Sequence, residues 1–141
     1  MGTAGITLYR VGTIKEIPYL RKYVSVDGGM YENPRPALYN AVHRAYVANR
    51  FNDEKNDLVT ISGKCCETDT LINDILIPKC QTGDIIAVMN TGAYNYSMSG
   101  NYNRLPRPAV VLLKGDKSEI IVQRENWDDL TRFDVIPSWL E

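Results

Sequence analysis

Gly63-Lys64-Cys65-Cys66-Glu67 puts a thiol and a carboxylate side by side at the end of an apolar run. A carboxylate can hold an ammonium group, and a tuned thiol can give or take a proton. Beside the negative charge of Glu67, Cys66 reads as a proton donor rather than a resting thiolate. Arg35 and Tyr39 form a second pair, four residues apart, the spacing that shares a helix face. A guanidinium fork beside a phenol hydroxyl makes a receptor for a carboxylate. In Thr91-Gly92-Ala93-Tyr94, small residues let the backbone approach an anion and Tyr94 adds a hydroxyl. Each group also has a plainer account: an inward-packed Cys with a solvated Glu, a surface Arg near a half-buried Tyr, an ordinary turn. Taken singly, the residues favour the plainer accounts.

The elements that position these groups are mostly strands. Ile6 to Ile17 alternates loosely and bends at Gly12, and Lys22 to Val26 is a short strand stopped by Asp27-Gly28-Gly29, a run suited to positive φ and a sharp turn. Asn33-Pro34-Arg35-Pro36 predicts a short helix with Asn33 as its cap. Val42 to Val47, Leu58 to Ser62 and Thr70 to Ile77 read as strands, and Asn49 to Asn56 as a polar loop. Ile85 to Met89 is a continuous apolar run that suits a strand buried on both faces. Asn90 to Pro108 is long, irregular and tyrosine-rich, a composition expected of a functional loop. Tyr94, Tyr96, Met98 and Tyr102 are its candidates for an exposed aromatic patch. Gly115-Asp116 turns a hairpin between Ala109 to Lys114 and Lys117 to Gln123. Asn126 to Phe133 predicts a terminal helix, capped by Asn126, with Trp127, Leu130 and Phe133 as its apolar stripe. The expected fold is mainly β: a Greek-key-like barrel or sandwich of seven or eight strands with two short helices, residues 1–141 forming a single domain.

The 141 residues give a net charge of −1 from 16 basic and 17 acidic side chains. No basic face is implied, so no nucleic-acid partner is expected. No apolar run approaches the ~20 residues that span a bilayer, and the N-terminus lacks a basic-then-apolar secretory pattern. Three cysteines, two adjacent, argue against a disulfide framework and for a reducing cytoplasm. Metal-ligand spacing is absent, and no zinc site is expected.

Five motifs occur in order: Val26-Asp27-Gly28-Gly29-Met30, Asn33-Pro34-Arg35-Pro36-Ala37-Leu38-Tyr39, Gly63-Lys64-Cys65-Cys66-Glu67, Gly92-Ala93-Tyr94, and Asn101-Tyr102-Asn103-Arg104 leading to Arg107-Pro108. Together they resemble the C-terminal domain of the diaminopimelate decarboxylases, within the alanine-racemase-like fold type of pyridoxal-phosphate enzymes. The resemblance runs from Ala4-Gly5-Ile6 to the Trp127 helix. It implies the β-barrel half of a two-domain homodimeric enzyme, the other half being an N-terminal (β/α)8 barrel. That half would carry the Schiff-base lysine and most of the phosphate site. No lysine here lies in that lysine's motif, so the chain is expected to be a C-terminal fragment, inactive alone, and Met1 need not be the native start.

By that resemblance, Arg35 and Tyr39 bind the substrate's distal carboxylate and Glu67 its distal ammonium. Cys66 is the active-site cysteine delivered across the dimer interface, and Tyr94 contacts the pyridoxal 5'-phosphate. The implied reaction is decarboxylation of meso-diaminopimelate to L-lysine. The family reads Cys-Glu-Ser-Gly-Asp where this chain reads Cys66-Glu67-Thr68-Asp69, one residue shorter, which leaves the role of Asp69 open. Two alternatives remain: a decarboxylase for ornithine, arginine or carboxynorspermidine, and a non-catalytic β-barrel binding module. The Arg35-to-Tyr39 run disfavours relatives whose substrate lacks a distal carboxylate.

Overall fold

The computed structural model describes residues 2–67 and 69–140. The chain divides into two compact units, Met1–Ser99 and Gly100–Glu141. The first holds strands β1 (Ile6–Ile17), β2 (Arg21–Val26), β3 (Ala45–Val47), β4 (Asp57–Ser62), β5 (Thr70–Ile77) and β6 (Ile85–Met89), with helices α1 (Arg35–Tyr39) and α2 (Asn95–Met98). The strands form one sheet in the order β3-β6-β1-β2-β4-β5, and its two edges, β3 and β5, meet, so the sheet nearly closes into a barrel. The mainly β, barrel-like expectation holds.

Register explains where the functional segments emerge. β1 pairs with β6 through Ile6 to Arg10 and with β2 through Val11 and Ile14 to Ile17, its register shifting around Gly12. It is one bent strand serving two neighbours. Both pairings are antiparallel, while β2 and β4 are parallel, Tyr23 to Ser25 against Thr60 to Ser62. β2, β4 and β6 therefore run the same way. The segments that follow their C-terminal ends carry Arg35 and Tyr39, Cys66 and Glu67, and Tyr94 respectively, and all leave from one end of the sheet.

The interior is built from β-branched residues, with Val24, Ile61, Ile86 and Val88 fully shielded. β6 is buried across Ile86-Ala87-Val88 with a paired strand on each side, as its continuous apolar run predicts.

Four expectations need correction. Asn33 does not cap α1: Pro34 occupies the cap position without a side-chain bond, while the Asn33 side chain is buried and bonded to Asn95. Gly28 and Gly29 do not take positive φ; the glycines that do are Gly83 and Gly115. They are small because a Cβ on Gly28 would strike the Tyr9 ring, and one on Gly29 the Asp69 carboxylate. The strand expected from Val42 begins at Ala45, after His43 has bonded the Met89 carbonyl through Nδ1 at 2.9 Å. The loop after Asn90 is not wholly irregular, since α2 forms within it and makes a third short helix. α1 ends as a short helix should, with Asn40 in the left-handed region (φ 52°) donating to the Arg35 and Pro36 carbonyls.

The second unit holds the hairpin of β7 (Val110–Lys114) and β8 (Lys117–Val122), turned by Gly115 at φ 60°, then α3 (Trp127–Thr131). Asn126 caps α3 in a reciprocal box with Asp129. The helix stops before Phe133, and Trp127 and Phe133 stand exposed. Glu125 is the unit's polar anchor. It accepts from Arg107 Nε at 2.7 Å, from the Arg107 amide at 2.9 Å and from Asn101 Nδ2 at 2.6 Å. Arg104 and Asp134 add a bidentate pair at 2.7 and 2.8 Å.

Candidate functional site

Arg35 opens α1 half-buried. Its Nη1 donates to the Ala93 carbonyl at 3.1 Å, and its guanidinium carbon lies 5.5 Å from the Tyr94 ring centroid. Stacking on an aromatic face leaves the edge of a guanidinium available for anions. Its Nε is buried with no partner, an orphaned donor. Tyr39 follows one turn later and is 62% exposed. The Arg35 guanidinium bonds Ala93 and not the Tyr39 hydroxyl, so α1 places this pair on one side without joining it.

Tyr94 is also exposed, at 58%. The segment before it is fixed by packing. The Gly92 amide donates to the Gly2 carbonyl at 3.1 Å, and a Cβ on Gly5 would collide with the Gly92 Cα. Gly92 is thus small for backbone packing, and its amide does not face an anion. The residue after Tyr94 is locked too: the buried Asn95 side chain donates to Asn33 Oδ1, tying the start of α2 to the residue just ahead of α1. A stacked Arg35–Tyr94 pair held on both sides, with an exposed phenol beside a cation, suits a doubly charged phosphate or a carboxylate.

Cys66 and Glu67 sit exposed in the segment between β4 and β5, and Thr68 lies outside the described residues. Cys65, by contrast, is buried, and burial first, then the nearby Asp69 charge, pushes its thiol up to about 11. It is inert at neutral pH. Two hydrogen bonds lace this segment to the one after β2, and a third closes it on itself. Lys64 N donates to the Gly28 carbonyl at 2.9 Å, Met30 N to Asp69 Oδ1 at 2.7 Å, and Cys65 N to Asp69 Oδ2 at 2.6 Å. The Lys64 ammonium lies 5.4 Å from the Tyr31 ring centroid. The structure therefore brings Arg35 and Tyr94 into contact. It holds Cys66 and Glu67 on a segment fastened to the one that leads into α1.

Three residues that sequence reading passed over complete this frame. Asp69, whose role the shortened turn leaves open, is buried and fastens the two segments. Asn95 joins α1 to α2. Glu32 is buried, accepts from Gly29 N at 2.7 Å through Oε1, and leaves Oε2 without a partner close to the unpartnered Tyr9 hydroxyl. Desolvation raises its carboxyl to about 7. The available signal was an acidic residue inside an otherwise apolar and glycine-rich turn, Gly28-Gly29-Met30-Tyr31-Glu32.

Residues 3–92 match the family model described as the pyridoxal-dependent decarboxylase C-terminal sheet domain. The chain is 50% identical to the diaminopimelate decarboxylase of Synechocystis sp. over 141 residues, 99% of this chain and 30% of that protein. It is 51% identical to the diaminopimelate decarboxylase of Bacillus subtilis over 136 residues, 96% of this chain and 31% of that protein. A crystal structure of diaminopimelate decarboxylase from M. jannaschii, in co-complex with L-lysine, superposes with a TM-score of 0.93 at 36% identity, covering 99% of this chain and 32% of that one. The chain thus spans about a third of the length of the relatives it matches. No helix among the described residues is long and apolar enough to cross a membrane.

Proposed function

Since the chain belongs to the pyridoxal-dependent decarboxylase family through that family's C-terminal sheet domain, we propose that it serves decarboxylation of meso-diaminopimelate to L-lysine within a longer cytoplasmic, homodimeric enzyme. The observation that carries the reading is Arg35. Its guanidinium is oriented by the Ala93 carbonyl and the Tyr94 ring, and sits on the same short helix as an exposed Tyr39 hydroxyl. Those two groups bind the carboxylate at the substrate's non-reacting end. Glu67, on its exposed segment, holds the ammonium of that same end in the partner subunit's site. Recognising both groups selects an amino acid at the far end over a simple amine.

Pyridoxal phosphate, when bound, supplies the electron sink for loss of carbon dioxide. This chain contributes the Tyr94 hydroxyl, exposed beside a guanidinium, as a phosphate contact. Cys66, exposed beside Glu67, serves as the proton donor at the reacting carbon. Three free cysteines, two of them adjacent, fit a reducing compartment.

The test uses full-length enzyme. Both distal contacts persist through the reaction, so losing one weakens binding more than chemistry. Arg35→Met raises KM for diaminopimelate by the loss of a buried charge-assisted contact, on the order of 2–5 kcal/mol, with a smaller change in kcat. Cys66→Ala does the reverse, lowering kcat while KM moves little. An unchanged KM in Arg35→Met removes the carboxylate assignment and the substrate with it.

A further inference from the structure

We propose that Asp69 is a positioning residue: its carboxylate locks the Cys66–Glu67 segment to the segment leading into Arg35, fixing how one subunit presents Arg35 to its own site and Glu67 to its partner's. The functional half of this statement rests on the decarboxylase reading above; the structural half does not.

The geometry is specific. Asp69 is buried, and its two oxygens face two different segments, Oδ1 accepting from Met30 N and Oδ2 from Cys65 N at 2.7 and 2.6 Å. A carboxylate accepting two backbone amides at such distances forms charge-assisted bonds, stronger than neutral ones. Its own carbonyl accepts from Gly63 N at 2.7 Å, closing the base of the Cys66–Glu67 turn. Space has been cleared for it on both sides, because a Cβ on either Gly29 or Gly63 would run into this carboxylate. Two glycines from two segments thus converge on one acid. Neither amide belongs to a strand, so without Asp69 each would be a donor lacking its acceptor next to the buried Cys65.

The consequence for the site follows from chain connectivity. Cys66 and Glu67 lie between two residues fixed to Asp69 or containing it, namely Cys65 and Asp69. On the other segment, Met30 is five residues ahead of Arg35, and the intervening Asn33 is fastened to Asn95 beside Tyr94. Together with the Lys64–Gly28 backbone bond, this one side chain fixes the separation of the Glu67 and Arg35 anchor points, although it touches neither. In a dimer each such frame serves two sites, its Arg35 one and its Glu67 the other.

Two measurements on the full-length protein test this. In the unsubstituted protein, the Met30 and Cys65 amides are protected from hydrogen exchange and open together, despite lying outside the strands; exchange of either at the unprotected rate overturns the proposal. Asp69→Asn replaces one acceptor oxygen by an NH2 group that faces another donor. Iodoacetamide then alkylates Cys65, located by mass spectrometry, faster than in the parent by roughly ten- to a hundredfold, the loss of one charge-assisted bond. KM for diaminopimelate rises while kcat changes less. The exchange measurement on the unsubstituted protein serves if Asp69→Asn does not fold. Cys65 remaining shielded, or a parental KM with Cys65 exposed, overturns the proposal. Exchange and alkylation are blind to substrate. A failed Arg35→Met test therefore leaves them standing, and failed shielding leaves the substrate reading standing.

Discussion

Val24, Ile61, Ile86 and Val88 have no more than traces of surface left in the sheet of the first unit, whereas Leu112, Leu113, Ile120 and Ile121 on the β7–β8 hairpin keep 57–67% of theirs. The residue types are nearly the same. The difference lies in closure: where β3 meets β5 the sheet encloses an interior, and a two-stranded hairpin has no second layer to enclose anything. Polar contacts take over in the second unit, with Arg107, Asn101 and two Glu125 oxygens at the base of the hairpin and Arg104 on Asp134. Strand propensity alone therefore does not decide what a strand contributes to stability. The layer against it does.

The largest expected effect sharpens that contrast. Ile86→Ala removes a fully shielded side chain from the strand between β1 and β3 and is expected to cost about 2–5 kcal/mol. Leu112→Ala, on the exposed hairpin, is expected to stay within about 0.5 kcal/mol. Urea unfolding of the 141-residue chain reads both. Equal losses would mean that the hairpin is covered in solution, and the contrast would collapse.

A smaller effect breaks the contrast from inside, because the apolar unit hides an acid. Glu32 is buried with its carboxyl raised to about 7 by desolvation. A raised folded value means that its contribution is present below the unfolded value of 4.5 and is lost as pH rises through about 7. Raising the pH from 5 to 8 should therefore cost the chain up to about 3 kcal/mol. Glu32→Gln keeps an oxygen for the Gly29 amide and cannot ionise, so its melting temperature should stay nearly flat over that range. A variant that loses stability in parallel with the parent would assign the pH dependence to another group.

The two units also differ in how far the sequence revealed them. Apolar runs bounded by turn residues located β5 and β6 to the residue, and the Gly115-Asp116 turn located the hairpin, because those signals are local. The parallel pairing of β2 with β4, which brings the Arg35 and Cys66 segments to one end, is a long-range contact with no local trace. Motif resemblance supplied the candidate site residues, and the structure sets Arg35 against Tyr94 as a pair that spacing alone could not give. The supporting residues stayed hidden for a physical reason. Glu32, Asp69 and Asn95 are polar side chains in turns, which ordinarily face water, and only the packed structure shows them buried. Of the long loop's candidates for an exposed aromatic patch, Tyr94 and Tyr102 are each exposed, while Tyr96 and Met98 are half-buried in α2.

Glu125 is the counterpart of Glu32, and its response to pH should run the other way. Arg107 holds the Glu125 carboxyl down to about 2, by a side-chain bond first and an amide bond besides. A lowered folded value means that the contribution is present above the unfolded value of 4.5 and is lost as pH falls through about 2. The partly exposed setting keeps it small, on the order of 1 kcal/mol for a screened ion pair with good geometry. Glu125→Gln should remove that contribution at neutral pH without touching the sheet. The Arg107 amide, which donates to Glu125, should then exchange several-fold faster, while the amides of β1 and β6 exchange at the parental rate. Acidifying the parent from pH 5 toward 2 should reproduce the local loosening, while the same acidification leaves Glu32 in its favoured neutral form. If the Arg107 amide and the β1–β6 amides respond together, the hairpin unit does not stand on its own polar clamp, and the sheet's interior stabilises both.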